Sequence, residues 1–238
     1  MTFWPRGNST DVTEHRVVYH SWEGLRSCSC PSIQKSVCTK YLGILLDNKL
    51  NFQQHIQLLA ARVRKLMVIF RTLRQAAEMG TVGMIYYALC QSLLTYCITS
   101  WGGSAKSTLL KLERAQRAVL KVSQFLPFRY PTSDLYEKSG VLTVRQLFIL
   151  QTVLKQHSIL YYSPDSLCRK RRKDIVCTVK PCKTSFARRF FNYQGCNLYN
   201  KLNRILSIYP REKTGVRVRV RDWLVKLNYL DTERLLRW

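Results

Sequence analysis

Lys40-Tyr41-Leu42-Gly43-Ile44-Leu45-Leu46-Asp47, followed by Leu50-Asn51-Phe52 and His55-Ile56, decides the fold of this chain, because the period of its apolar residues changes there. Residues 37–46 are rich in Val, Ile and Leu and read as a strand. From Asn51 the spacing becomes helical. Ile56, Leu59, Val63, Leu66, Phe70 and Leu73 recur at steps of three and four, with Ala60 and Met67 beside them. Asn51 suits an N-cap, and Gln54 three residues on completes a capping-box pattern. Arg62, Arg64, Lys65, Arg71 and Arg74 take the other faces, and Gly80 is expected to end the turn after this helix.

Upstream, residues 14–20 read as a second strand, separated from 37–46 by a Ser/Cys/Pro loop at 27–32. Two strands alone are marginal in water. Downstream, the reading is helical. A second helix over about 82–101 is expected to bury Val82, Ile85, Tyr86, Leu89, Leu93, Tyr96 and Cys97 and, being apolar nearly all round, to form the centre of a bundle. A third, about 106–124, carries Leu109, Leu112, Val119 and Val122 inward and Lys111, Arg114, Arg117 and Lys121 along one side. That row is either a solvated face or one that tracks phosphates; Glu113 is the one acid near enough to balance it. A short helix near 133–139 precedes a longer one from Thr143, its N-cap, to about Tyr162, with Val144, Leu147, Phe148, Leu150 and Leu154 inside. The expected class is mainly α: a short β-hairpin, a helical bundle and a basic, partly helical C-terminal region.

Charge separates the function classes. The chain has 39 Lys and Arg against 14 Asp and Glu, a formal +25, which favours an anionic partner such as nucleic acid. The uncharged run from Met79 to Ala105 is long enough for a membrane span. Gln91, Ser92, Thr95, Thr99 and Ser100 interrupt it, as suits a buried helix, so no membrane partner is expected. Nine Cys, an odd number, with no signal-peptide pattern after Met1, point to reduced thiols in a nuclear or cytoplasmic rather than secreted protein. Cys28, Cys30 and Cys38, or Cys168, Cys177, Cys182 and Cys196, raise a zinc site, but no Cys-x-x-Cys occurs.

Residues 163–185 change character. Pro164, the run Arg169-Lys170-Arg171-Arg172-Lys173 and Pro181 make a basic linker, open to use as a nucleic-acid patch. From Cys168 to Arg221 sixteen Lys and Arg face Asp174 and Glu212, with Phe186, Phe190, Phe191, Tyr193, Tyr199 and Tyr209 interleaved. Such aromatics either stack bases or form a small satellite core, and the core reading is preferred for most of them. Val216, Val218 and Val220 alternate with arginines as a strand would; Val216, Val220, Trp223, Leu224 and Leu227 also share a helical face, and a helix continuing through Leu230 is the reading adopted. The domains expected are 1–50, 51–162, the linker 163–185, and 186–238.

Tyr41-Leu42-Gly43, Ile85-Tyr86-Tyr87-Ala88-Leu89, Leu94-Thr95-Tyr96, Trp101-Gly102 and Leu112-Glu113-Arg114-Ala115-Gln116-Arg117-Ala118 stand in an order and spacing that resembles the jockey-like reverse transcriptases of non-LTR retrotransposons. Met1-Thr2-Phe3 resembles the end of their Lys-Thr-Lys-Tyr-Met-Thr-Phe palm segment. Tyr199-Asn200-Lys201-Leu202 and Trp223-Leu224 resemble their C-terminal tail, with Asn203 where a proline is usual. The resemblance implies that residues 1–50 are a palm remnant with Tyr41, Leu42 and Gly43 as primer-grip turn, that 51–162 are a thumb, and that the catalytic aspartates would lie before Met1. The partner it implies is a template–primer of RNA and DNA, held by backbone contacts.

Polymerisation of this kind needs carboxylates that hold two Mg²⁺ ions. The family's Phe/Tyr-Ala-Asp-Asp motif occurs nowhere in this sequence. Asp47 reads as a turn or cap acid, and His15, His20, His55 and His157 are isolated. No cofactor is therefore expected in this chain, Mg²⁺ belonging to the absent palm, and no nucleotide transfer by the chain alone. A stand-alone RNA- or DNA-binding module and a relic without function are the rival readings.

Overall fold

The computed structural model describes residues 36–162, 176–209 and 211–236. The proposed strand 14–20, the Met1-Thr2-Phe3 resemblance and the basic run Arg169 to Lys173 lie outside the described residues. Those described fall into two compact units, divided between His55 and Ile56.

In the first unit the expected strand 37–46 is broken. It forms a hairpin by itself, β1 (Cys38–Tyr41) and β2 (Ile44–Asp47), paired antiparallel with Tyr41 opposite Ile44 and Cys38 opposite Asp47. Leu42 and Gly43 make the two-residue loop, with φ of 44° and 81°. Positive φ at both positions is the twist that a tight hairpin demands, and glycine supplies it without cost while leucine does not. After the hairpin, the Asp47 carboxylate accepts the Phe52 N–H at 3.1 Å. Helix α1 (Gln53–Ala76) starts two residues beyond the predicted Asn51 cap.

The second unit is helical. After α2 (Met79–Ile85), a π-turn at Tyr86–Gln91, α3 (Ser92–Thr95) and α4 (Ile98–Trp101) come α5 (Lys106–Ser123), α6 (Thr132–Ser139) and α7 (Val144–Tyr162). A single 3₁₀ turn at Ala187–Arg189 leads into α8 (Phe191–Leu206), then α9 (Lys213–Val225) and α10 (Tyr229–Leu236). Gly80 thus lies inside α2 instead of ending a turn. Mainly helical structure with one short hairpin is the class the sequence implied.

The centre of the bundle is α7, not the 82–101 segment. Helices α3, α4, α5, α8 and α9 all pack on α7, whose residues from Val144 to Leu150 are buried on every side. Its start matches expectation and is stronger than expected. Thr143 Oγ1 accepts the Gln146 N–H at 3.2 Å, and Gln146 Oε1 accepts the Thr143 N–H at 2.9 Å, a reciprocal capping box. Thr143→Ala is expected to lower stability by about 1 kcal/mol, read from urea unfolding, with Thr143→Ser near neutral.

The 82–101 segment differs because its buried residues step by four: Val82, Tyr86, Cys90, Leu94 and Ile98. In a regular helix of about 3.6 residues per turn, each such step drifts about 40° off the face. The wider π-turn at Tyr86–Gln91 takes up part of that drift. Cys97, at φ 48°, then breaks the helix. Leu89, Tyr96 and Cys97, expected inside, are exposed, and Leu93 and Ile85 are half-buried. Among the described residues no helix is long and apolar enough to cross a membrane.

In the C-terminal region, α8 and α9 pack on α7. At the described end of the expected linker, Val176 and Cys177 are buried. The Asn200 side chain accepts both their N–H groups, at 3.1 and 2.9 Å, and donates to the Cys177 carbonyl at 2.8 Å. Helix α9 settles the arginine–valine alternation: Val216, Val220 and Leu224 are buried and Val218 exposed, a helical face. It stops at Val225, short of Leu230, and Asn228 caps α10 by accepting the Asp231 N–H at 2.8 Å.

Candidate nucleic-acid interface

Helix α5 orients its basic row through the groups on its opposite side. Gln116, fully buried, donates to the Tyr86 hydroxyl at 3.0 Å and to the Leu142 carbonyl at 2.8 Å, and accepts from the Tyr136 hydroxyl at 3.1 Å. Burial pushes the Tyr86 phenol well above its ordinary range, and it pushes the neighbouring Cys90 thiol up to about 12. Both therefore stay neutral, and the Gln116 hydrogen bonds with Tyr86 and Tyr136 tie α5 to the π-turn and to α6.

Glu113 also points inward. Its carboxylate receives the Arg145 Nε–H at 3.0 Å, in a pair that is almost wholly buried. The one acid that could have balanced the basic row is thereby committed elsewhere, and the outer face of α5 keeps its positive charge. Lys111 and Arg114 on that face are exposed.

Arg117 and Lys121 are half-buried and partly engaged inside the protein. Burial raises the Tyr136 phenol pKa, while the Arg117 charge and hydrogen bond beside it pull the other way. The Lys121 ammonium donates to the Phe128 carbonyl at 2.6 Å and lies 5.9 Å from the Phe128 ring. The four residues thus share a face, and only Lys111 and Arg114 present their charge fully to solvent.

Tyr41 and Leu42 stand exposed at the hairpin tip with Gly43 beside them. The C-terminal aromatics divide: Tyr199 is buried, its hydroxyl 2.8 Å from His157 Nδ1, while Phe190, Phe191 and Tyr193 are half-buried and Phe186 and Tyr209 exposed. Of the six, Tyr199 alone is buried, whereas the sequence favoured a core role for most of them. Among the described residues there is no group of three or more His, Cys, Asp or Glu side chains that could hold a metal ion. Cys177 and Cys196 adjoin each other, and a hydrogen bond from Cys177 lowers the Cys196 thiol to about 7.

Over 187 residues, 74% of its length, the chain is 28% identical to the RNA-directed DNA polymerase from mobile element jockey of Drosophila melanogaster. The chain is thus similar to a mobile-element RNA-directed DNA polymerase. The match spans 20% of the length of that polymerase. No protein-family model matches the chain, and no solved structure matches it significantly.

One basic and aromatic cluster escaped the sequence reading. At the C-terminal end of α5, Phe125 and Phe128 project into solvent, Phe128 being 90% exposed. The Arg74 guanidinium lies 4.4 Å over the Phe125 ring and donates to the Val122 carbonyl at 3.0 Å. Arg129 is exposed between them and α6. The signal available was Phe125-Leu126-Pro127-Phe128-Arg129-Tyr130-Pro131, in which two prolines bracket aromatics that no helical period claims.

Proposed function

We propose that this chain is the thumb-like and C-terminal part of a retrotransposon RNA-directed DNA polymerase, and that it grips a template–primer duplex by its backbone. The observation that carries this is the inward turn of Glu113 to Arg145, which leaves Lys111 and Arg114 exposed on an uncompensated face of α5. Cations on the rigid face of a packed helix neutralise phosphates at fixed spacing, giving binding that ignores base sequence and weakens with salt. Lys121 and the Phe125–Phe128 loop extend that face, and Tyr41, Leu42 and Gly43 form the primer-grip turn. The run Arg169 to Lys173 adds further charge for the same backbone.

Three of the described acids are already engaged. Glu113 and Glu233 both surround Arg145, and Asp47 accepts the Phe52 N–H. In this reading Mg²⁺ and the transfer chemistry belong to a palm outside this sequence, and this chain supplies grip. The test is binding of the full chain to an RNA–DNA duplex. Reversing charge at Lys111, Arg114 and Lys121 together should weaken binding about a hundredfold and flatten the salt dependence by roughly two to three in log–log slope. Unchanged affinity and slope would refute the α5 grip.

A further inference from the structure

Apart from the basic row, and independent of the nucleic-acid reading, we infer that the cavity at the N-terminal end of α5 binds a phosphate monoester. The cavity is about 500 Å³ and is lined by Gly102 to Lys106, Arg145, Arg189, Gln194 and Glu233. That volume admits a phosphate and the sugar that carries it.

Three features converge there. Helix α5 is 18 residues long, and its N-cap, Ala105, makes no side-chain cap bond. The first N–H groups of such a helix point outward with the positive end of its dipole, an arrangement that favours anions. Lys106, Arg145 and Arg189 add positive charge around the same opening. The loop lies close enough to Arg189 that a Cβ on Gly103 would sit 2.2 Å from the Arg189 carbonyl oxygen, so only glycine fits.

The third feature is independent of the helix end. Gln194 is 1% exposed, yet among the described residues neither its Nε2 nor its Oε1 has a hydrogen-bond partner. Arg145, 7% exposed, likewise leaves Nη2 without a partner among the described residues. Buried polar atoms are nearly always satisfied, so this cluster of orphans marks a place that a polar ligand fills. An unmet donor beside an unmet acceptor suits a group that offers both. A phosphate monoester does so, through its oxygens and, when singly protonated, its P–O–H, whereas an internal phosphodiester has no such donor.

Glu233 is the built-in competitor. Its carboxylate oxygens lie 2.8 Å from Arg145 Nε and 3.4 Å from Lys106 Nζ. The Arg145 Nε–H is directed at Glu113, so Glu233 shares the charge without an aligned bond, and its Oε1 is itself unpartnered. A dianionic ligand sharing these cations would meet repulsion from Glu233.

The test is a titration of the ¹⁵N-labelled full chain with inorganic phosphate, ionic strength being held with chloride. The Gln194 side-chain amide and the Lys106 and Ser107 backbone amides should shift together and saturate. Glu233→Gln should tighten binding about tenfold by removing the competing charge, and Gln194→Leu should weaken it by a similar factor. Signals no more responsive to phosphate than to chloride, or an affinity indifferent to Glu233→Gln, would overturn the site. Competition by a 5′-phosphorylated dinucleotide would assign the phosphate to a strand end. Competition by inorganic phosphate and a nucleoside monophosphate alone would assign it to a free ligand, and either supports the site. Equal competition by the 5′-hydroxyl dinucleotide would overturn the monoester assignment.

Discussion

Arg145→Ala is expected to destabilise the helical unit by about 3–5 kcal/mol, a fall of roughly 10 °C in Tm by thermal unfolding. Arg145 sits between two carboxylates, Glu113 at 3.0 Å and Glu233 at 2.8 Å, and its side chain is 8% exposed. Removing the guanidinium leaves the Glu113 carboxylate, 4% exposed, without its cation in a region that water scarcely reaches. The cost arises from that stranded charge more than from the lost attraction. Replacing the three together, as Arg145→Met, Glu113→Leu and Glu233→Met, should therefore cost far less than Arg145→Ala alone. A triple variant as unstable as the single one would show that the volume of the arginine, not its charge, is what the core requires.

Trp101→Ala is expected to cost about 4 kcal/mol, with the midpoint of urea unfolding falling and its slope unchanged. Trp101 is completely buried at the end of α4, which packs on the central helix α7. Its indole N–H donates to the Tyr96 carbonyl at 3.0 Å, and so spans the break that Cys97 makes in the chain. Two effects are therefore superposed: a cavity and an interrupted brace. Trp101→Phe keeps most of the volume and loses the donor, and should cost about 1–2 kcal/mol. Equal losses in the two variants would assign the effect to the hydrogen bond; the expected gap assigns it mainly to packing.

These two sites differ in how far the sequence revealed them. Trp101 stands at the end of an apolar run, and its burial could be anticipated. The partnership of Arg145 with Glu113 spans 32 residues, and nothing near either residue announces it. The same holds for Gln194, whose orphaned amide becomes meaningful only beside Arg145 and the end of α5. The α5 row was legible because four cations at steps of three and four must share one side of a helix. Which of them reach solvent was not, since that depends on α6 and on the loop carrying Phe128.

The local patterns determined every element in which polar and apolar residues alternate in phase. Buried on every side at its start, α7 was legible from its Thr143 cap instead, whereas the phased elements include α5 over Lys106–Ser123 and the Val216, Val220 and Leu224 face of α9. In such segments one face alone can be buried, so a single period defines both conformation and orientation. The segment from Met79 to Trp101 carries apolar residues on every side and thus holds no phase information. Tertiary contacts fill that gap: Tyr86 of the π-turn meets Phe70 and Gln116, and α3 and α4, on either side of the break at Cys97, pack on α7. Tertiary packing also decided that Glu113 turns inward, because a buried arginine needs carboxylates and Glu113 meets Arg145 at 3.0 Å beside Glu233 at 2.8 Å. The basic face that gives the chain its proposed grip is thus written in the sequence, but it is bared by the fold.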